Sequence, residues 1–192
     1  MNVLPDPKDV EGATALIGWD KVRRQGGSIE LPASGMEIDL GGVVKEYVAD
    51  AVVQLAKHLG ATSGVVNLGG DIALIGPQPD GTPWDIGVSD PDDSSQAIAT
   101  IQLSHGAITT SGGYERFIEI EGKKYSHLLD PTTGWPVDNL LGVSIIADQA
   151  VVAGSLSTIA LLMPEQEALA FLKDSDAPYL AIDTGRIIHR SN

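Results

Sequence analysis

Cysteine is absent from this chain of 192 residues, which excludes disulfide bonds, thiolate catalysis and cysteine-ligated metals. Basic residues are also scarce, because 12 Lys and Arg stand against 26 Asp and Glu and give a formal net charge of −14. A surface this acidic repels nucleic acid and anionic lipid, so neither is expected as a partner. A phosphate-bearing ligand would need backbone dipoles, selected lysines or a divalent cation to offset the charge of the protein.

Long hydrophobic runs are missing as well. No stretch of 18 uninterrupted apolar residues occurs, so no membrane segment is expected in this chain. The hydrophobic content of 43% is enough for a packed core, and the length fits a single domain over residues 1–192. The first ten residues lack the basic and apolar regions of a secretory signal, so the chain as given is expected to be cytoplasmic.

The hydrophobic pattern predicts strands and helices that do not alternate regularly. Apolar residues recur at helical spacing over Val43–Leu59, a mostly apolar helix is predicted at Ala150–Met163, and Pro164 opens another. Strands are predicted at Ser28–Leu40 (around a turn), Val65–Ile75, Trp84–Val88, Ala97–Leu103, Ala107–Thr110, Arg116–Ile120, Lys123–Leu129, Leu141–Ala147, Tyr179–Ile182 and Arg186–His189. This arrangement indicates an α+β fold with mixed, mostly antiparallel sheets and packed helices.

The segment Ser126–Gly134 places His127 three residues before Asp130 at a rigid turn. Pro131 fixes its own φ, and the Asp130 carboxylate can accept hydrogen bonds from the backbone ahead of it. Such a turn can hold a proton-transferring imidazole in one orientation. The same composition is also typical of a hairpin turn without a catalytic function.

Two glycine pairs are candidates for backbone contact with a ligand. Gly41-Gly42 precedes a helix with Lys45 in its first turn, so unpaired N–H groups and the helix dipole could bind an anion there. Ordinary helix capping is the alternative. Gly69-Gly70 lies inside a predicted strand and indicates either a bulge or a close backbone approach.

The segment Thr109–Arg116 combines hydroxyls, glycines and an arginine, and Thr110 and Ser111 in it suit phosphate or ribose recognition. Loops of this composition are common, so the pattern alone decides little. Tyr114 could stack on a planar ring, and a partly buried structural tyrosine is the alternative.

Four further residues carry weaker signals. Gly154 lies in a helix interior, where glycine costs about 1 kcal/mol relative to alanine, so either packing requires it or another residue belongs there. His58, His105 and His189 have no partner pattern and are interpreted as surface or core residues.

Five motifs in this order resemble the ApbE family, the FAD:protein FMN transferases. They are Asp39–Asp50, Gly64–Ile72, Thr110–Arg116, Tyr125–Gly134 and Ala150–Thr158. The resemblance implies a T-fold-like architecture and a Mg²⁺-dependent reaction in which FAD is cleaved, FMN passes to a Thr or Ser hydroxyl of an acceptor protein, and AMP is released. It also aligns the start of this chain with the middle of a typical member of a family that is often periplasmic.

The resemblance assigns a role to each matching residue. His127 would transfer the proton near the acceptor hydroxyl, and Asp130 would belong to the same catalytic loop. The nucleotide would be bound by Gly41, Gly42, Lys45, Thr110, Ser111 and Thr133. Mg²⁺ would be held by the Val44 carbonyl and the Thr158 hydroxyl. These roles agree with the chemistry, because a cation neutralises a pyrophosphate and histidine is a suitable base near neutral pH.

The chain departs from the family pattern at two places. Gly154 stands where the family has the aspartate that binds the metal, and Val44 and Glu46 replace small residues beside the glycine pair. A glycine at position 154 would leave a poorer site for a hard dication. The second hypothesis is therefore a catalytically impaired or non-catalytic flavin-binding relative, in which Gly154→Asp is expected to strengthen Mg²⁺ binding.

Overall fold

The computed structural model describes residues 3–93, 95–114 and 116–191. The helices are α1 (Pro7–Thr14), α2 (Val44–His58), α3 (Ala150–Leu162) and α4 (Glu165–Asp174). The strands are β1 (Arg23–Gln25), β2 (Ser28–Glu30), β3 (Gly64–Leu68), β4 (Asp71–Gly76), β5 (Trp84–Ser89), β6 (Ala97–Leu103), β7 (Ala107–Gly112), β8 (Phe117–Ile120), β9 (Lys123–Ser126), β10 (Leu140–Ala147), β11 (Tyr179–Asp183) and β12 (Ile188–Arg190). All pairings between these strands are antiparallel, which confirms the predicted α+β class.

The central element is a six-stranded sheet with the strand order β12-β11-β10-β7-β4-β3. Successive side chains of a strand point to opposite faces, and both faces of this sheet are apolar. Ala73 of β4 and Ala107 of β7 pack against the helices on one face of the sheet. Leu74 of β4 and Ile108 of β7 pack against the layer on the opposite face. Each face must therefore be covered by another layer.

Helices α2 and α3 cover one face, and the β5–β6 ribbon covers the other. Helix α3 packs on β7 and β10, whereas α2 packs on β3 and β4. Ile86 and Val88 of β5 are buried against Leu74, Ile108 and Ile182 of the sheet. A cavity beside the helical layer is lined by polar residues at the start of α2, the β3–β4 turn and the end of β7.

Asp50 of α2 fixes the position of α3. Its two carboxylate oxygens accept hydrogen bonds from the backbone N–H groups of Ala150 at 2.8 Å and Val151 at 3.0 Å. A carboxylate is favourable at a helix N-terminus because it pairs unbonded N–H groups and the positive end of the dipole. This cap brings the turn of α2 before Asp50 next to the second turn of α3.

The structure corrects two predicted strands. Ser28–Leu40 does not form a strand–turn–strand, because Ser28–Glu30 pairs backwards with Arg23–Gln25 around Gly26-Gly27. Gly69-Gly70 is not a bulge but the two-residue turn of the β3–β4 hairpin. Both glycines have positive φ, +68° and +97°, as a type I′ hairpin turn requires.

The apolar face of α2 is only partly buried. The helix begins and ends within one residue of the predicted bounds, but its buried residues are Glu46, Ala49 and Val53. Tyr47 and Leu55, which follow the predicted apolar spacing, are 66% and 58% exposed. The buried face of α2 therefore consists of two small apolar side chains and one carboxylate, and its larger apolar side chains remain exposed.

His189 differs from its predicted role, because it has a specific partner. Its Nε2 lies 2.8 Å from Oδ2 of Asp183, whose Oδ1 accepts the Ile187 N–H, also at 2.8 Å. The hydrogen bond from His189 is the main reason that the pKa of Asp183 is lowered from its ordinary value. His58 and His105, predicted to be surface or core residues, are exposed. None of the helices in the described part of the chain has the length and apolarity to cross a bilayer.

Candidate functional site

A cavity of about 700 Å³ lies where the start of α2, the β3–β4 turn, the end of β7 and the segment after β9 converge. Seven residues predicted to be functional line it, namely Gly41, Gly42, Lys45, Thr110, Ser111, His127 and Thr158. Tertiary structure therefore brings together residues from four of the five motifs, and the fifth contributes Gly69 and Asp71.

The start of α2 is open toward this cavity. The N-cap residue is Val43, whose side chain cannot accept a hydrogen bond, so no side chain caps the first turn. The Asp39 carboxylate instead accepts the Gly41 N–H at 2.6 Å, and a Cβ at Gly41 would lie 2.9 Å from that carboxylate. A Cβ at Gly42 would meet no atom within 4 Å. The Val43 and Val44 N–H groups donate to the Leu40 carbonyl, and the donors of the first turn that follow them suit an anion.

Lys45 is held over the cavity by an ion pair. Its Nζ lies 2.5 Å from Oδ2 of Asp71. The lysine side chain is 40% exposed and that of Asp71 only 4%, so the aspartate fixes the lysine while the ammonium remains accessible. In the β3–β4 turn, Asn67 Oδ1 accepts the Gly70 N–H at 2.9 Å, so Asp71 remains free to pair with Lys45.

Hydroxyl groups connect β7 to α3 at the floor of the cavity. The Ser111 Oγ lies 2.8 Å from Ser157 Oγ and 3.3 Å from Thr158 Oγ1. Thr110, on the opposite face of β7, bonds to Ser144 at 2.8 Å. Ser111 and Thr158 thus present oxygens to the same space. The ring of Tyr114, which is half-buried, lies close to Gly112 and lines the cavity, so both predicted roles of this residue stay open.

His127 has a defined tautomer. Its backbone N–H donates to the Arg116 carbonyl at 3.1 Å, and its Nδ1 lies 3.0 Å from the same oxygen. A carbonyl only accepts, so Nδ1 is the donor and, in the neutral imidazole, Nε2 carries the lone pair. The predicted β8–β9 hairpin is confirmed and places Arg116 beside His127. The imidazole is therefore oriented with its basic nitrogen available.

The Asp130 carboxylate belongs to the turn. Its Oδ1 accepts the N–H groups of Thr132 at 2.7 Å and Thr133 at 3.3 Å. The hydrogen bond from the Thr132 amide is the main reason that the pKa of Asp130 is lowered. Asp130, Thr133 and Val44 are not among the residues that line the cavity, and Thr133 faces α1 instead. Their assigned roles stay predictions.

The two possible roles of Asp130 can be separated by substitution. Asp130→Asn is expected to keep most of the flavin transfer that the family resemblance implies, measured near pH 7, because the amide oxygen still accepts the two backbone N–H groups. Asp130→Ala is expected to lower the rate about tenfold, because displacement of the loop disturbs the alignment of His127. Steady-state rates of both variants provide the measurement. Equal losses in Asn and Ala variants would make Asp130 a proton-transfer group.

Glu46 occupies a position that the sequence pattern did not indicate. Glu46 is 6% exposed and lines the cavity. A Cβ at Gly154 would lie 2.7 Å from its Cγ and 2.9 Å from its Oε1, so the Glu46 side chain fills the space beside Gly154. Packing therefore explains the helix glycine. The signal in the sequence was the pair of departures itself, a glutamate for a small residue and a glycine for an aspartate.

The charges around the cavity are nearly balanced but leave an acidic excess. Asp39, Glu46 and Asp71 contribute three carboxylates, against the cations of Lys45 and Arg116. Within the described segments, no group of three or more His, Asp or Glu residues converges in a way that could hold a metal ion. A cation here would need hydroxyl or carbonyl oxygens beside a single carboxylate.

Known proteins with this fold are larger than this chain. A crystal structure of the ApbE protein from Thermotoga maritima superposes with a TM-score of 0.91 at 34% identity, over 99% of this chain and 63% of that one. The flavin transferase ApbE from Vibrio cholerae superposes with a TM-score of 0.82 at 27% identity, over 100% of this chain and 62% of that one.

Curated relatives are also similar to this chain and longer than it. The FAD:protein FMN transferase of Treponema pallidum is 30% identical over 188 residues, covering 89% of this chain and 52% of that protein. The one from Salmonella typhimurium is 31% identical over 173 residues, covering 86% and 49%. The chain thus spans about half the length of these relatives. Because the model of the ApbE family matches residues 1–181, the chain belongs to the ApbE family.

Proposed function

We propose that this chain has the activity of a flavin transferase that moves FMN from FAD to a hydroxyl of an acceptor protein. The observation that carries the proposal is the position of His127 on the same cavity as the uncapped start of α2 and Lys45. An oriented base and an anion site on one cavity are what attack of a hydroxyl on a pyrophosphate requires. The named relatives support the reaction class.

The phosphates of FAD would lie at the start of α2. Gly41 and Gly42 let a ligand approach the backbone there, and the Lys45 ammonium adds a positive charge. The Ser111 hydroxyl supplies a further polar contact at the end of β7, and Thr110 lines the same cavity while its hydroxyl bonds to Ser144. The acidic excess around the cavity opposes an anion, so a bound cation would favour nucleotide binding.

The residues present fit a hard divalent cation such as Mg²⁺. Glu46 Oε2 is buried and has no hydrogen-bond partner among the described residues, and the Thr158 hydroxyl lines the same cavity. Oxygen ligands of this kind suit Mg²⁺. When bound, the ion would neutralise phosphate charge during the displacement. The Val44 carbonyl stays a predicted ligand.

The reaction proceeds by displacement at phosphorus. The acceptor Thr or Ser oxygen forms a bond to the FMN phosphorus, and the bond from that phosphorus to the AMP oxygen breaks. His127 Nε2 takes the hydroxyl proton, and its Nδ1–H remains bonded to the Arg116 carbonyl. The products are the FMN–protein phosphoester, AMP and one proton, which His127 releases to solvent or to the departing AMP phosphate.

The acceptor would approach from the far side of His127. That histidine also borders a second cavity, of about 400 Å³, whose lining includes Phe117, Tyr125, Trp135 and Pro136. The apolar lining suits a peptide segment, in contrast to the polar cavity for the nucleotide. His127 thus lies between the two proposed substrates.

Mass spectrometry of the acceptor tests the proposal directly. The purified chain is incubated with FAD, Mg²⁺ and a threonine-containing acceptor peptide, and we expect an FMN adduct on the peptide together with free AMP. FMN and AMP without an adduct would replace transfer by FAD hydrolysis. FAD binding without either product would favour the non-catalytic hypothesis, whose original reason, the missing carboxylate, is weakened by Glu46 beside Gly154.

A further inference from the structure

The Glu46 carboxylate is buried without a visible compensating partner. Glu46 lies in the first turn of α2 and is 6% exposed. Its Oε2 has no hydrogen-bond partner in the described part of the chain. The nearest lysine in sequence, Lys45, is paired with Asp71. Buried carboxylate oxygens are normally hydrogen-bonded, ion-paired or bound to a metal, so this oxygen indicates a missing ligand.

The contact between α2 and α3 determines where this carboxylate lies. Asp50 caps α3 at Ala150 and Val151. Glu46 is one turn earlier on α2, and Gly154 is one turn later on α3, so the cap sets them opposite each other. The glutamate Oε1 consequently occupies the position 2.9 Å from where a side chain at Gly154 would begin.

Oxygen atoms from other elements complete the surroundings. Thr158 lies one further turn along α3 from Gly154, on the same helix face. Its Oγ1 is 3.3 Å from Ser111 Oγ, and both residues line the cavity together with Glu46. A carboxylate and hydroxyl groups on one cavity are a donor set for a hard cation.

We propose that Glu46 provides the charged ligand of the divalent cation site, from α2, in the space that Gly154 leaves empty on α3. The inference rests on the proposed function only for the identity of the ion, Mg²⁺. Glu46 and Gly154 therefore form one unit: the longer side chain reaches across, and only glycine opposite leaves room for it. A single Gly154→Asp change would place a second carboxylate against Glu46, so it should weaken the site, contrary to the expectation from the sequence.

Titration with Mn²⁺ tests the proposal independently of activity. Electron paramagnetic resonance counts free Mn²⁺ in the presence of the whole chain, first alone and then with ADP. Glu46→Gln keeps the shape of the side chain and should raise the Mn²⁺ Kd at least about tenfold, in the range seen when groups that support a metal are lost. Exposed Glu167 on α4 provides the matched control, and Glu167→Gln should leave the Kd unchanged.

An exchange of the two residues adds a second test. Glu46→Gly should lose Mn²⁺ binding, and Glu46→Gly with Gly154→Asp should restore it, because the carboxylate then enters the same space from α3. Unchanged Mn²⁺ affinity in Glu46→Gln, or no Mn²⁺ binding by the unmodified chain with or without ADP, would overturn the proposal. Loss of Mn²⁺ in Glu46→Gln supports it even when no FMN adduct forms, so the two proposals fail separately.

Discussion

Replacing His127 with alanine is expected to lower the rate of flavin transfer about 10²–10⁴-fold, the usual contribution of a positioned general base. The affinity for FAD should change little, because His127 lies at the edge between the two cavities and the proposed phosphate site is at Lys45 and the start of α2. Transfer is measured by the mass of the acceptor peptide, and FAD affinity by quenching of flavin fluorescence.

The control for this substitution is His58→Ala, which changes an exposed histidine at the end of α2. It should leave both the rate and the affinity unchanged. Added imidazole should partly restore transfer in His127→Ala, because a small base can enter the space left by the ring. Unimpaired labelling of the acceptor by His127→Ala would remove this residue from the proton-transfer step.

Replacing Lys45 with methionine is expected to lower the free energy of unfolding by about 1–3 kcal/mol, because Asp71 would be left buried without its partner. The Asp71 side chain is 4% exposed, whereas the lysine is 40% exposed, so the loss should fall below that of a fully buried pair. FAD binding should also be lost, because Lys45 is the cationic residue in the first turn of α2, at the proposed phosphate site. Urea denaturation and flavin fluorescence measure the two effects.

A double-mutant cycle separates stability from binding. Lys45→Met combined with Asp71→Asn should be more stable than Lys45→Met alone by about 1–2 kcal/mol, because no unpaired buried charge remains. It should still fail to bind FAD. The exposed pair of Arg23 and Glu30, 3.6 Å apart, supplies the control, and Arg23→Met should cost less than about 1 kcal/mol. Additive losses at positions 45 and 71 would contradict the coupling.

Local patterns predicted much of the fold. Helix α2 begins and ends within one residue of the predicted bounds, because its periodicity and its terminator are properties of the local sequence. The β8–β9 hairpin and the helix pair α3–α4 were predicted for the same reason. The Asp130 turn is held largely by local bonds, since the Asp130 carboxylate accepts the Thr132 N–H and its carbonyl accepts the Gly134 N–H.

Predictions failed where local signals allow more than one pairing. Ser28–Glu30 is flanked by a turn sequence on each side. It pairs with Arg23–Gln25 around Gly26-Gly27 and not with the residues that follow it. The glycine pair at Gly69-Gly70 fits a bulge and a turn equally, and the hairpin register decided between them. His189 gained Asp183 as a partner only because β11 and β12 lie side by side.

The sequence by itself determined helices α2, α3 and α4 and the β8–β9 hairpin, the acidic character of the chain and the identity of the groups available for chemistry. Only the tertiary structure decided which groups meet. Asp50 reaches α3 across 100 residues, and that cap sets Glu46 opposite Gly154. The physical reason is that helix periodicity specifies which face a residue occupies, whereas the packing of two helices on one sheet decides which faces touch. A glutamate and a glycine that read as two separate defects in the sequence are therefore one fitted contact in the fold.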